Sequence, residues 1–133
     1  MYLHLNYISK SVAEIIAKAL NANGIPTEDR VLIFSPKDQD TTQGGIIIPG
    51  TVKEGMPRKG VIVQVGHISE TYKSYQVDSC KIGTLVTYGL YAGKEIEFDP
   101  NIFPEDIRGL ITNGKNIFTV LSLNEIVYSE YNK

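Results

Sequence analysis

The sequence predicts a small all-β domain, a barrel or sandwich, preceded by one α-helix. Three observations carry this: an amphipathic stretch ahead of Pro26, a change after it to short β-branched runs, and Gly or Pro at the boundaries of those runs. At 133 residues the chain has the size of one domain with a single modest core.

The helix comes first. Ser11 can cap it, and Glu14 three positions later completes a capping box. Val12, Ile15, Ile16, Ala19 and Leu20 recur at helical spacing on one face. Gly24 supplies the left-handed C-terminal position and Pro26 prevents continuation. Residues 1–28 are therefore set apart as a helical extension, whose stripe is expected to pack on the body or on a neighbouring subunit. After Pro26, "RVLIF" (30–34), "GVIVQVG" (60–66) and "TLVTYG" (84–89) read as strands. "LITNGKNIFTVL" (110–121) is predicted to be two strands joined at Asn113-Gly114, because Asn-Gly tolerates positive φ at both central turn positions. "NEIVYSEY" (124–131) supplies the last strand.

Composition narrows the function classes. Apolar residues make up 42% and charged residues 21%, ordinary for a soluble globular protein. A formal net charge of −2 gives no electrostatic reason to expect nucleic acid or an anionic membrane as partner. The single Cys80 allows no internal disulfide, which fits a reducing cytoplasm. Glu14 and Lys18 interrupt the best apolar run of the N-terminus, arguing against a signal peptide or membrane span.

No enzyme signature survives inspection. Gly109 to Lys115 approximates a phosphate-binding loop, but Asn116 stands where Ser or Thr must hold magnesium, and a strand-like run follows where a helix is needed. His4 and His67 lie far apart, and Cys80 has no Cys or His at ligand spacing, so no metal site and no cofactor is expected. No Gly-x-Ser-x-Gly elbow is present. Glu95, Glu97, Asp99, Glu105 and Asp106 read as a solvated acidic loop. Tyr72, Tyr75, Tyr88 and Tyr91 read as structural, since no basic excess surrounds them for base stacking.

The unusual stretch is residues 36–59, "PKDQDTTQGGIIIPGTVKEGMPRK". Lys37 to Gln43 is polar with no apolar anchor, the composition expected of a flexible segment. Ile46, Ile47 and Ile48 follow Gly44-Gly45, and on local pattern they read either as a buried strand or as a docking peptide. A flexible arm with an apolar triplet can order in a partner's groove, and several arms on one ring would bind together.

"DRVLIF" (29–34), the polar loop, "GGIIIPG" (44–50), "RKGVIVQVG" (58–66), "KIGTLVTYG" (81–89) and "LSLNEIVYSE" (121–130) together resemble the GroES co-chaperonin family, collinearly over residues 28–131. The resemblance implies a small GroES-like β-barrel over residues 29–133 with a mobile loop at about 36–59. It also implies that Ile46, Ile47 and Ile48 bind a GroEL-type chaperonin, with Gly44 and Gly45 as lead-in. It implies a homo-oligomer, a seven-membered ring, that caps the chaperonin during ATP-dependent folding. By position it pairs Val31, Leu32, Ile33 and Phe34 with Glu125, Ile126, Val127 and Tyr128 of a neighbouring subunit, and puts a roof hairpin near 67–80. The helical extension, the long Pro-rich "EFDPNIFPEDIRG" (97–109) and Pro49 after the triplet depart from the family's common form. Added segments of this kind are expected of a bacteriophage-encoded member acting in a host cytoplasm. Two other readings stay open: a β-barrel structural or adaptor protein of a virus particle with the triplet at an ordinary subunit interface, and a hydrolase using carboxylates in 95–106.

Overall fold

A computed structural model describes residues 8–37, 57–70, 81–89 and 91–130. The first element, helix α1, spans Lys10–Asn21. Ser9 is its N-cap, not Ser11: the Ser9 hydroxyl accepts the Val12 N–H at 3.1 Å, so Ser11 falls inside the first turn and no capping box forms. The expected left-handed Gly24 is also corrected. Ala22 closes the helix in the right-handed region, and the left-handed glycines among the described residues are Gly83, Gly93 and Gly114. Leu20 O instead accepts both the Asn23 and Gly24 N–H groups, at 2.9 and 3.0 Å, and satisfies the helix end without positive φ.

The buried stripe of α1 is Ala13, Ile16, Ala17 and Leu20, the i, i+3, i+4, i+7 pattern turned by about one position from the predicted face. Val12 and Ala19 pack at its margin, and Ile15 is 36% exposed. Two alanines on the stripe let the helix lie close to the sheet. Gln64, itself buried, fixes that contact by donating to Asn21 Oδ1 at 2.8 Å and Gly24 O at 2.6 Å.

Six strands follow: β1 (Arg30–Pro36), β2 (Arg58–Val65), β3 (Leu85–Tyr88), β4 (Lys94–Ile96), β5 (Asn116–Ser122) and β6 (Ile126–Glu130). They form one antiparallel sheet in the order β4-β5-β1-β2-β3-β6. Strand alternation divides the apolar runs between its two faces. Leu32, Phe34, Val61, Val63, Leu85 and Phe118 pack with α1, while Val31, Ile33, Ile62, Val86, Tyr88 and Leu121 form a second cluster with Leu123. This second set is at most 1% exposed, and Val65, Ile68, Ala92 and Ile126 pack against it. Gly60 sits where β1 and β2 cross most tightly. A Cβ there would collide with Ile33 Cγ2 and lie 2.8 Å from Ser35 Cβ.

Residues 105–112 correct the predicted hairpin. Glu105–Thr112 is a helix, α2, not a strand. Leu110 and Ile111 continue the helical spacing begun by Ile107, and Glu105 and Asp106 favour the first turn through the helix dipole. Asn113 is the C-cap and Gly114, at φ 77°, takes the left-handed position beyond it. Asn-Gly suits a helix end as well as a two-residue turn, and the spacing upstream decides between them. A short 3-10 turn, Pro100–Ile102, precedes α2, and Arg108 ties the two by donating to Pro100 O at 3.2 Å and Phe103 O at 2.9 Å. The 97–109 segment thus enters the core. Phe98 meets Phe118 edge-on at 5.1 Å between centroids, Phe103 stacks on it at 5.9 Å, and Phe34 lies 5.0 Å away.

Candidate functional site

The unusual segment leaves the sheet at Lys37, just past β1, and returns at Pro57, just before β2. β1 and β2 are antiparallel neighbours, with Phe34 opposite Val61, so the two roots lie side by side. Arg58 crosses between them, its Nη2 donating to Pro36 O at 2.8 Å and Lys37 O at 3.1 Å. From another direction Lys115 O accepts the Lys37 N–H at 2.8 Å. Residues 38–56, with Gly44, Gly45, Ile46, Ile47 and Ile48, lie outside the described residues. Sequence distance alone still bounds them. Eight residues separate Lys37 from Ile46 and eight separate Ile48 from Pro57. The triplet is therefore central and within about 30 Å of either root at full extension.

Val31–Phe34 do not form an edge, which corrects their assignment as a strand paired across subunits. β1 is bonded on one side to β2 and on the other to β5, and all four side chains are at most 1% exposed. A strand with both ladders filled has no free N–H or C=O for a neighbour. β6, in contrast, ends the sheet order, and Val127 and Tyr128 on it are 70% and 63% exposed. Ile126 packs inward on the second cluster. The Glu125 carboxylate is engaged within the chain, accepting the Ser122 N–H at 2.8 Å and the Gly93 N–H at 3.1 Å.

The other residues singled out from sequence disperse. Glu95 lies on edge strand β4 and Glu97 just after it, both lining an open cleft of about 370 Å³ with Phe98 and Ile111. Asp99 caps the 3-10 turn through the Asn101 N–H at 2.9 Å, and Glu105 and Asp106 begin α2. The five carboxylates are thus spread over a strand, the turn after it, a cap and a helix. Among the described residues, no group of three His, Cys, Asp or Glu is placed to hold a metal ion. Tyr88 is buried with its hydroxyl 3.1 Å from Ser35 Oγ, whereas Tyr91 is exposed. His4, Tyr72, Tyr75 and Cys80 lie outside the described residues, as does most of the expected roof at 67–80.

Two residues that brace the chain around β1 were given no role of their own by the sequence reading. Arg58 is one. The other is Asp29, whose positive φ of 60° turns the chain into β1. Its carboxylate accepts the Ser69 N–H at 2.7 Å, its N–H donates to His67 O at 2.8 Å, and its carbonyl accepts the Leu123 N–H at 2.9 Å. Asp is among the few residues that tolerate this conformation, which was the available signal.

Residues 23–121 match the family described as chaperonin 10 Kd subunit, Cpn10. The chain belongs to the Cpn10 family. A protein named Co-chaperonin GroES from Bacteroides fragilis is 45% identical over 96 residues, which cover 72% of this chain and 94% of the relative. Its namesake from Geobacter metallireducens is 38% identical over 92 residues, covering 65% and 95%. The Cpn10 match contains both loop roots, Arg58 and the 97–109 segment, whereas α1 precedes it and β6 follows it. Helix α1 is thus an addition to the matched Cpn10 region that nonetheless shares its core.

Proposed function

We propose that this Cpn10 protein is a co-chaperonin: an oligomeric lid that docks on a GroEL-type chaperonin and assists ATP-dependent folding in the cytoplasm. Membership of the Cpn10 family carries the reading, and the paired roots support it by presenting residues 38–56 from one fixed point of the sheet. Ile46, Ile47 and Ile48 are the docking residues, with Gly44 and Gly45 leading in. Burying two isoleucine side chains contributes roughly 3–6 kcal/mol before ordering costs. One arm therefore binds weakly, and a ring of arms binds tightly yet reversibly. The chaperonin turns over the nucleotide, and the lid itself performs no bond chemistry.

The ring is proposed to be a heptamer built from heterologous contacts, with β6 as donor. Val127 and Tyr128 stand at one end of the sheet. At the β4 end an apolar crevice of about 290 Å³, lined by Leu20, Pro26, Phe98 and Val120, lies beside Ile25, which is 64% exposed. A knob and a crevice on opposite ends of one subunit generate a ring when the rotation between neighbours closes.

Two measurements test this. Native mass should be about 103 kDa for seven chains of 14.7 kDa, and Val127→Asp should lower it. Wild-type protein should bind purified Bacteroides fragilis GroEL-type chaperonin in the presence of ATP, and Ile47→Ser should lose that binding with its ring intact. Equal binding by both proteins refutes the docking role of the triplet, and no binding by the wild type refutes the lid.

A further inference from the structure

We infer that Arg58 is the positioning residue of the docking segment, a clamp that fixes the point on the sheet where the segment begins. The inference rests on the lid reading above and adds to it a residue outside the triplet. One guanidinium nitrogen reaches two successive carbonyls of the outgoing chain, Pro36 O at 2.8 Å and Lys37 O at 3.1 Å. Arg58 is the first residue of β2, so this donor belongs to the returning chain and ties one root directly to the other.

Lys37 lies past the end of β1 and its side chain is exposed, where a strand end ordinarily frays. Here both of its peptide groups are held, the N–H by Lys115 O and the C=O by Arg58. The base of the clamp is rigid as well. Arg58 pairs with Tyr88 in the β2–β3 ladder, and the Tyr88 hydroxyl meets Ser35 Oγ one residue before Pro36. Charge-assisted donation to neutral carbonyls suits a planar guanidinium on a long stem. A lysine at this position keeps the charge and several donors on a head that is not planar.

The consequence for docking is preorganisation. With Lys37 already held in the free protein, docking has no ordering cost to meet at that residue, and every copy in a ring starts its segment from an equivalent point. A small loss per arm is then multiplied across the copies that bind together.

Arg58→Gln and Arg58→Lys test this. In the free protein, hydrogen exchange at the Lys37 amide should quicken about tenfold or more in Arg58→Gln, with the native mass unchanged and Tm shifted by no more than about 3 °C. Apparent affinity for Bacteroides fragilis GroEL-type chaperonin with ATP should fall about tenfold or more, and Arg58→Lys should recover part of it. Unchanged Lys37 exchange overturns the clamp. Quickened exchange with unchanged chaperonin affinity overturns the positioning role and leaves the lid reading standing. A wild-type protein that ignores the chaperonin overturns the lid reading and the positioning role together, while the exchange result still reports on the clamp. Should Arg58→Gln misfold, the same readouts on Arg58→Lys decide the matter.

Discussion

Adjacent isoleucines on α1 differ sharply in environment, and exchanging each for alanine measures whether the helix belongs to the fold. Ile16 is fully buried in the cluster that contains Leu32, Val61, Val63, Phe103 and Ile107, whereas Ile15 is 36% exposed. Removing three carbons from a buried isoleucine costs about 2–5 kcal/mol, depending on how far the surroundings close on the void. Ile16 packs in one cluster with side chains of the sheet and of the 103–107 region, so collapse is limited and about 3–4 kcal/mol is expected. The helix propensity of alanine returns a few tenths of a kcal/mol at either site. For a domain of this size each kcal/mol moves Tm by about 3–5 °C, so Ile16→Ala should melt about 10–15 °C lower. Ile15→Ala should lose less than about 1 kcal/mol. Thermal unfolding followed by circular dichroism, at one protein concentration and with native mass checked, separates the two. Equal small losses would refute the placement of α1 in the core and return it to the status of an appendage.

Three further outcomes follow from the same geometry. Gly60→Ala should destabilise by about 1–3 kcal/mol or more in urea unfolding, because its Cβ meets Ile33 and Ser35 where two strands already touch. Gln64→Leu removes the donor to Asn21 and Gly24 while leaving those oxygens in place, and should cost about 1–3 kcal/mol with the loss seen first in exchange of α1 amides. Lys59 and Glu130 meet at 3.0 Å with side chains 29% exposed, so Lys59→Met should change stability by less than about 1 kcal/mol, and raising the salt concentration should shrink the difference further.

Much of the sheet was legible because strands buried on both faces are written as unbroken apolar runs. "RVLIF", "GVIVQV" and "LVTY" became β1, β2 and β3 within a residue or two. β4 was missed because Lys94–Ile96 is three residues long and exposed throughout, leaving no alternation to read. The second helix was missed through Asn113-Gly114, whose dihedral preference fits two structures. Small side chains hid the true face of α1, since Ala13 and Ala17 carry little weight in an apolar pattern but permit the closest approach.

The candidate site divides in the same way. Sequence alone isolated the Gly-Gly and isoleucine triplet between two strands, because composition and covalent distance are properties of the chain itself. It also determined the mainly β body and the leading helix, each a matter of local pattern. Only the tertiary structure decided which strand is an edge. Val31–Phe34 and Ile126–Glu130 are both apolar strands in sequence, and ladder partners from distant β5 and β2 fill one while the other ends the sheet. Only the tertiary structure likewise brought Arg58 to Pro36 and Lys37 across more than twenty residues, and the 97–109 aromatics onto Phe118. Contacts of that kind depend on the registry of the sheet, which is set by the whole core at once and by no single segment of the chain.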